Sequence, residues 1–205
     1  MKAEHLEILV EEPSMEAFLR ELLPGLLGEE ATFEVYPYQC KDDLLSKLHS
    51  RLQGYASWLP NNWRVVVVVD RDDDDCEVLK RRMEQAAAGA GLRTRKAGAA
   101  RMWQVANRIA IEELEAWYFG DWDAVRKTYP RVPGTIPQKE SYRNPDEIQG
   151  GSWEAFERVL QRAGYFKTGL RKMEVARALG KRMDPAQNRS RSFAVFRDAV
   201  LEAVA

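Results

Sequence analysis

The stretch from Arg64 to Asp75 constrains the fold of this chain more than any other. It consists of one arginine, five consecutive valines and then the acidic sequence D-R-D-D-D-D. An unbroken run of β-branched residues is typical of a strand that is covered on both faces, as in the centre of a parallel sheet. The run is too short to cross a membrane, which takes about 20 apolar residues. The sequence therefore predicts a buried strand that ends abruptly in carboxylates.

Strand-like and helix-like segments alternate along the first 130 residues. Short apolar or alternating runs predict strands, and apolar residues at three- and four-residue spacing predict amphipathic helices. The predicted strands are 5–10, 32–36, the valine segment and 105–111. The predicted helices are 14–28, with Ser14 as N-cap, about 38–52, 74–89, 112–119 and 121–129. Helix 74–89 is predicted to bury Val78, Leu79 and Met83. This order predicts an α/β fold with a mainly parallel sheet and helices on both faces.

The rest of the chain is predicted to be mainly helical. Residues 130–151 are rich in Pro, Gly and Asn, which is typical of a long loop. Helices are predicted at 153–163, 170–183 and 192–204, and a Gly/Ala-rich turn is predicted at Ala97–Ala100. We therefore expect an α/β domain over residues 1–130, with a loop and helical extension over residues 131–205 packed on it as one compact unit.

Composition narrows the class of protein. With 205 residues, 45% hydrophobic and 31% charged, the chain is long enough to bury a core without disulfides or structural metal. Cys40 and Cys76 have no CxxC partner, and only two histidines are present, so a zinc site is not indicated. The charged N-terminus lacks a following apolar segment, so we expect no secretory signal, a cytoplasmic location and no membrane association.

Charge is unevenly distributed along the chain. Residues 1–50 carry 4 Lys/Arg against 11 Asp/Glu, whereas residues 151–205 carry 11 against 6. A basic C-terminal third is suited to following a phosphate backbone, although solvated helix faces also account for such an excess. The candidate phosphate contacts on the loop and extension are Lys139, Arg143, Lys167, Arg171 and Lys172, although a solvated charge is the favoured interpretation of each one taken alone.

Acidic residues follow two of the predicted strands. Glu11 comes after the first strand, and Asp70 and Asp72 come after the third. Ligands of parallel α/β sheets bind at the carboxyl ends of strands, which lie about 4.8 Å apart, so these carboxylates converge if the two strands are neighbours. Crowded carboxylates suit a divalent cation such as Mg²⁺, and thereby phosphoryl-transfer or phosphodiester chemistry. The alternative is a solvated acidic helix start, to which we assign residues 73–75.

Three segments carry a resemblance to a known group of proteins. L-V-E-E-P-S-M-E-A-F-L, V-V-V-V-V-D-R-D-D-D-D-C and R-I-A-I-E-E-L-E-A-W-Y together resemble the TOPRIM-like fold. More narrowly, with Glu113–Trp117 and Asn188–Phe193, they resemble bacterial stand-alone TOPRIM-like proteins related to the nuclease domain of the overcoming-lysogenization-defect ATPases. The TOPRIM pattern is a glutamate after the first strand and D-x-D after a later one, here Glu11, Asp70 and Asp72.

The resemblance implies a function as well as a fold. It implies that the three matched carboxylates hold Mg²⁺ or Mn²⁺ in a centre that nicks or cleaves DNA. It also implies a role in mobile-element defence beside an ATPase partner. No segment resembles the domain that supplies the transesterifying tyrosine of topoisomerases, so topoisomerase activity is not expected.

The chain departs from the TOPRIM pattern at the first turn. The usual glycine after the first glutamate is Glu12, and the usual second acid is Met15, with Glu16 one residue further. These departures favour an alternative function, a catalytically degenerate binding or regulatory subunit that partners an ATPase. A haloacid-dehalogenase-type phosphatase also uses D-x-D, but after its first strand, whereas here the motif follows the third.

Other side chains have two interpretations each. Glu115 is a candidate further ligand or base, or else a glutamate on the surface of a helix that it shares with Glu112. Arg71, between the two aspartates, is expected to point away from them and to form an ion pair. The aromatic residues are candidates for stacking on bases, but their helical spacing favours packing. They are Trp103, Trp117, Tyr118, Trp122 and Trp153.

Overall fold

The computed structural model describes residues 2–95 and 102–205, and within them it contains one parallel sheet. The strands are β1 (His5–Val10), β2 (Thr32–Pro37), β3 (Trp63–Asp70) and β4 (Val105–Ala110). They lie in the order β2-β1-β3-β4, and every neighbouring pair is parallel. The predicted α/β architecture is therefore confirmed, and the sheet is Rossmann-like. The predicted turn at Ala97–Ala100 lies outside the described residues.

Helices flank the sheet on both sides, as the alternation of segments predicts. The α-helices are α1 (Pro13–Leu27), α2 (Lys41–Trp58), α3 (Cys76–Gly89), α4 (Leu114–Gly120), α5 (Trp122–Thr128), α6 (Glu140–Arg143), α7 (Ser152–Arg162), α8 (Lys172–Gly180) and α9 (Arg191–Val204). Among the described residues, no helix is both long enough and apolar enough to cross a membrane.

The valine run forms the centre of the molecule. All five valines of β3 are fully buried. Val66 and Val68 belong to the larger hydrophobic core, which includes α1 and α9, and Val65, Val67 and Val69 belong to the smaller core, which includes α2 and α3. An unbroken apolar strand is required because both faces of the sheet are covered.

The C-terminal helices share the larger core with the first helix. Phe18 of α1 contacts Trp117 of α4, and Phe196 of α9 stacks on the same tryptophan with ring centroids 5.2 Å apart. Helix α8 packs so closely on α1 that a Cβ atom on Gly180 would lie 2.4 Å from the carbonyl oxygen of Phe18. Residues 131–205 and the α/β part therefore bury one continuous apolar cluster.

The segment predicted as a long loop contains short ordered elements. It holds α6 and the two 3-10 turns Ile136–Gln138 and Pro145–Glu147. The carboxylate of Asp146 accepts hydrogen bonds from the main-chain N–H groups of Arg191 and Ser192 at 2.7 and 3.1 Å, and from the hydroxyls of Ser190 and Ser192 at 2.7 and 3.0 Å. A charged side chain thus satisfies the free donors at the start of α9 and fixes this segment to the helix.

Two local predictions are wrong. Helix α1 begins at Pro13 with Glu12 as its N-cap, so Ser14 lies inside the first turn, and proline is well suited to that first helical position. On α3, Leu79 and Met83 are buried but Val78 is 57% exposed. The buried stripe of α3 follows a four-residue spacing through Leu79 and Met83, and Val78 lies to one side of it.

Candidate functional site

Two acidic side chains meet at the carboxyl ends of neighbouring strands. Strands β1 and β3 are adjacent, with Val10 opposite Val68, so Glu11 and Asp70 leave the sheet side by side. The main-chain N–H of Asp70 donates a hydrogen bond of 3.0 Å to Glu11 Oε2. Both residues are buried, and Asp70 Oδ1 has no hydrogen-bond partner within the described part of the chain. A buried carboxylate oxygen without a donor is costly unless a proton or a cation satisfies it.

Burial and mutual repulsion change the acidity of this pair. Burial, and then the negative charges of Asp72 and Glu12, raise the pKa of Glu11 to about 7, against the opposing effect of Lys41 and the Asp70 hydrogen bond. Burial also raises the pKa of Asp70 well above its ordinary value, and the nearby charge of Glu11 adds to this. At neutral pH the two carboxylates are therefore stabilised by a proton or a cation that they share.

Asp72 is bound by a lysine at the edge of the site. Its backbone is left-handed, with a φ of 49°, and its Oδ2 accepts a hydrogen bond of 2.6 Å from Lys41 Nζ. The same ammonium lies 2.7 Å from Asp74 Oδ2 and donates to the carbonyl oxygens of Arg71 and Asp70 at 3.0 and 3.3 Å. Lys41 thus supplies a positive charge at the mouth of the site, immediately beside Glu11 and Asp70.

Glu115 lies inside the protein and not on a helix surface. It is 2% exposed in α4, where burial raises its pKa to about 8, with Glu113 and Glu12 adding to the effect and Lys172 opposing it. Every residue of α4 is buried, so the helix has no solvent face. Glu112 does not share the helix, because α4 begins at Leu114 and Glu112 precedes it with a φ of 64°.

Lys172 is the predicted phosphate contact that the structure brings to the acidic cluster. Burial lowers the pKa of its ammonium, but the charges of Glu115, Glu12, Glu113 and Asp70 outweigh burial and raise that pKa. Its Nζ also lies 5.2 Å from the ring centre of Trp153. The ammonium therefore remains charged and faces the carboxylates from the side of α8.

The other cations predicted to contact phosphate lie on the surface. Lys139, Arg143, Lys167 and Arg171 are exposed, and Arg171 forms an ion pair of 3.2 Å with Glu174. Their contact with nucleic acid stays a prediction. Among the aromatic candidates, Trp103, Trp117, Tyr118 and Trp122 are buried, which favours the packing interpretation for these four.

The first turn does not restore the second acid of the TOPRIM pattern. Met15 is fully buried in the larger core, and Glu16 forms an ion pair of 2.8 Å with Arg20. Arg71 pairs with Glu112, which confirms the predicted ion-pairing role. The acid that does join the cluster from this turn is Glu12, at the N-cap of α1.

The arrangement is compatible with a divalent cation held by two carboxylates. Within residues 2–95 and 102–205, no three acidic, histidine or cysteine side chains stand close enough to form a ligand set as they are oriented. Mg²⁺ commonly uses one or two protein carboxylates and completes its shell with water and substrate. Glu11 and Asp70 meet that requirement, because one oxygen of Asp70 is buried and accepts no hydrogen bond from the part of the chain that the structure describes.

Sequence reasoning missed two of the groups that shape the site. Lys41 follows β2, whose carboxyl end opens at the same edge of the sheet as that of β1. A lysine just after a predicted parallel strand is therefore a sequence signal for a positive charge at this edge of the sheet. Glu12 was considered only as a replaced glycine, and its charge was not considered as part of the cluster.

Comparisons with known proteins identify a family. No curated protein and no solved structure matches the chain. One family model, described as a domain of unknown function (DUF4276), matches residues 10–201. The match spans nearly the whole chain and includes every acidic residue of the cluster. The chain therefore belongs to the DUF4276 family.

Proposed function

We propose that this protein is a Mg²⁺- or Mn²⁺-dependent phosphodiesterase that nicks or cleaves DNA. The observation that carries the proposal is the buried pair of Glu11 and Asp70, in which Asp70 Oδ1 has no hydrogen-bond partner within the described residues. The pair lies at the carboxyl ends of adjacent parallel strands, where ligands of such sheets bind. Crowded, buried carboxylates of this kind are stabilised by a divalent cation.

Glu11 and Asp70 would hold the cation, which supplies electrostatic stabilisation of the charge that develops on the phosphoryl oxygens. Asp72 would join them if it left Lys41, to which it is bound by a hydrogen bond of 2.6 Å. Lys172, whose ammonium interacts with the negative charges of the same cluster, would contact a phosphate. Glu115, whose pKa burial raises to about 8, would act as a proton donor.

DNA as the substrate and a role in mobile-element defence rest on the resemblance to TOPRIM-like proteins. The parts that carry it are Glu11 after β1 and the D-x-D at the end of β3, which the fold brings to one edge of the sheet. The basic C-terminal third, with 11 Lys/Arg against 6 Asp/Glu, suits a polyanion. The ATPase partner rests on the same resemblance.

A second candidate function is a regulatory subunit without catalysis. The observation that favours it is the position of Lys41, whose ammonium contacts Asp72, Asp74 and two main-chain oxygens beside Asp70. A fixed ammonium there neutralises part of the cluster without a metal. The burial of Met15 at the place of the second acid supports the same interpretation.

Plasmid nicking tests the first proposal. We would compare the native protein with Glu11→Gln and Asp70→Asn in Mg²⁺, in Mn²⁺ and in EDTA. Asp73→Asn is the matched control, because Asp73 is an exposed acid of the same loop. The proposal requires metal-dependent nicking that is lost in both site variants and retained in the control. Metal-dependent nicking that persists in Glu11→Gln and Asp70→Asn would sink the proposed site.

Metal binding separates the two functions. Titration calorimetry with Mn²⁺ on the native protein and on Asp70→Asn measures binding without any substrate. Binding that depends on Asp70, together with nicking, supports the phosphodiesterase. If the native protein shows no Mn²⁺ binding and no nicking, the regulatory subunit is supported.

A further inference from the structure

A cavity lies beside the edge strand β4, and neither Glu11 nor Asp70 is among the residues that line it. Its volume is about 600 Å³, which is in the range typical of small-molecule sites. It opens between α3 and α9, and the 3-10 turn at 145–147 forms part of its rim. Four basic side chains line it: Arg71, Lys80, Arg108 and Arg191.

Arg108 is the unusual member of this set. It is 6% exposed, and its Nε and Nη2 atoms are buried with no hydrogen-bond partner among the described residues. Its Nη1 atom donates a hydrogen bond of 2.6 Å to the carbonyl oxygen of Asn107. Burial, and then the positive charge of Arg95, lower the pKa of the guanidinium to about 10, so it is still charged at neutral pH.

An unpaired buried guanidinium is expensive to maintain. The ion pairs among the described residues engage Arg71 with Glu112 and Lys80 with Glu84, but none engages Arg108. Moving a charged group from water into the protein without a partner costs several kcal/mol by general estimates. That cost is comparable to the net free energy of unfolding of a whole domain. A planar guanidinium with two free donors is suited to bidentate contact with an oxyanion.

The walls of the cavity also favour a particular kind of anion. Ile109, Ile111 and Val195 give it apolar surface, and Val195 is 43% exposed on α9. The acids on the rim are Asp146, whose carboxylate is already bound by the start of α9, and the exposed Glu147. The lining therefore combines an excess of positive charge with apolar patches, which suits a phosphate attached to an organic group.

We propose that this cavity binds the phosphate group of an organic phosphate of nucleotide size, with Arg108 as the buried anchor and Lys80 and Arg191 beside it. The free Nε and Nη2 atoms are screened from solvent, so binding entails a turn of the guanidinium toward the cavity. The phosphate belongs either to a free nucleotide or to the 5′ end of a nucleic acid. The proposal does not depend on a metal at Glu11 and Asp70.

Titration calorimetry in EDTA tests this site with three ligands: inorganic phosphate, AMP and a 5′-phosphorylated oligodeoxynucleotide. We expect the native protein to bind AMP more tightly than inorganic phosphate, and Arg108→Gln to weaken AMP binding at least tenfold. Arg82→Gln is the matched control, because Arg82 is an exposed arginine of α3 outside the cavity. The proposal would be overturned if the native protein bound none of the three ligands, or if Arg108→Gln bound AMP with the affinity of the native protein.

Two further variants keep the test decisive. Arg108→Met replaces the guanidinium by an apolar side chain, and we expect it to keep or raise the melting temperature while AMP binding is lost. A melting temperature lowered by ten degrees or more would show that Arg108 is structural and would overturn the role of anchor. Asp70→Asn is expected to bind AMP as the native protein does, which separates this site from the proposed metal centre.

The ligands also identify the source of the phosphate. Binding of AMP but not of the oligonucleotide supports a free nucleotide. Binding of the 5′-phosphorylated oligonucleotide, lost when its 5′ phosphate is removed, supports the end of a nucleic acid. Oligonucleotide binding that is unchanged by removal of the 5′ phosphate and by Arg108→Gln would contradict both sources of the phosphate.

Discussion

The main-chain N–H of Asp70 hydrogen-bonds to Glu11 Oε2 at 3.0 Å, which joins the ends of two neighbouring strands through an acidic side chain. This contact draws the Glu11 carboxylate next to that of Asp70, although like charges repel. The sheet therefore fixes the acids before any ligand arrives. Their separation depends on the pairing of β1 with β3.

The free energy of unfolding should depend on pH through the Glu11 carboxyl group. The pKa of Glu11 is about 7 in the folded chain, against 4.5 for an ordinary glutamate. Between these values the folded state binds more protons than the unfolded state, so the free energy of unfolding falls as pH rises. At about 1.36 kcal/mol per pKa unit, the contribution lost between pH 4.5 and pH 8 is about 3 kcal/mol. Urea unfolding in EDTA at pH 5 and pH 8 measures it.

Glu11→Gln should reduce that dependence, because the amide does not titrate, while Asp70 and Glu115, whose pKa values are also raised, retain their share of it. Glu16→Gln is the control, since Glu16 is paired with Arg20 outside the cluster. A Glu11→Gln profile as steep as the native one would show that other groups cause the pH dependence.

Lys41 should compete with a divalent cation. Its ammonium neutralises Asp72 and Asp74 at the mouth of the site, so Lys41→Met removes a positive charge and frees a carboxylate. We expect Mn²⁺ to bind about tenfold more tightly to this variant, or about 1.4 kcal/mol. Calorimetry measures the change, and Lys47→Met, an exposed lysine of the same helix, should leave affinity as it is. Weaker binding in Lys41→Met would mean that the lysine assists the metal.

Met15→Glu should not rebuild a metal ligand. Met15 is fully buried in the larger core, so a carboxylate there loses its hydration without a partner. We expect a loss of about 3 kcal/mol or more in the free energy of unfolding. Chemical unfolding measures it, with Met15→Leu as the volume-matched control, which should cost less than about 1.5 kcal/mol. Tighter Mn²⁺ binding with unchanged stability would contradict the buried position.

Asp146→Ala should loosen the start of α9. Four donors of that helix converge on the Asp146 carboxylate, and the alanine variant leaves them without this acceptor. Helix caps and hydrogen bonds to charged groups indicate a cost of about 2 kcal/mol. Thermal unfolding measures it, and Glu147→Ala, the exposed neighbour, should change stability by less than about 0.5 kcal/mol. Equal effects of the two substitutions would argue against the cap.

The sequence predicts the layered fold well because its signals are local. The run of valines indicates a strand covered on both faces, and the alternation of segments indicates a parallel sheet; both are confirmed. The meeting of Glu11 with Asp70 needed one further condition, adjacency of β1 and β3, which the fold supplies.

Features that arise from tertiary contacts escaped prediction. Lys41 reaches Asp72 across 31 positions of the chain, and no spacing rule links them. Glu115 was assigned a surface alternative because helical periodicity assumes one solvent face, whereas all of α4 is buried. Asp146 lies in a segment whose composition predicts a loop, and its bond to the start of α9 becomes visible only when the chain is folded.

The contact at Gly180 makes the two ends of one helix interdependent. Because α8 rests directly on the backbone of α1 at Phe18, a single added methyl group there must push the helices apart. The first residue of α8 is Lys172, the ammonium that faces Glu12 and Glu115. The positive charge at the acidic cluster is thus positioned by a glycine eight residues away, so a change that touches no charged group would alter the electrostatic balance of the site.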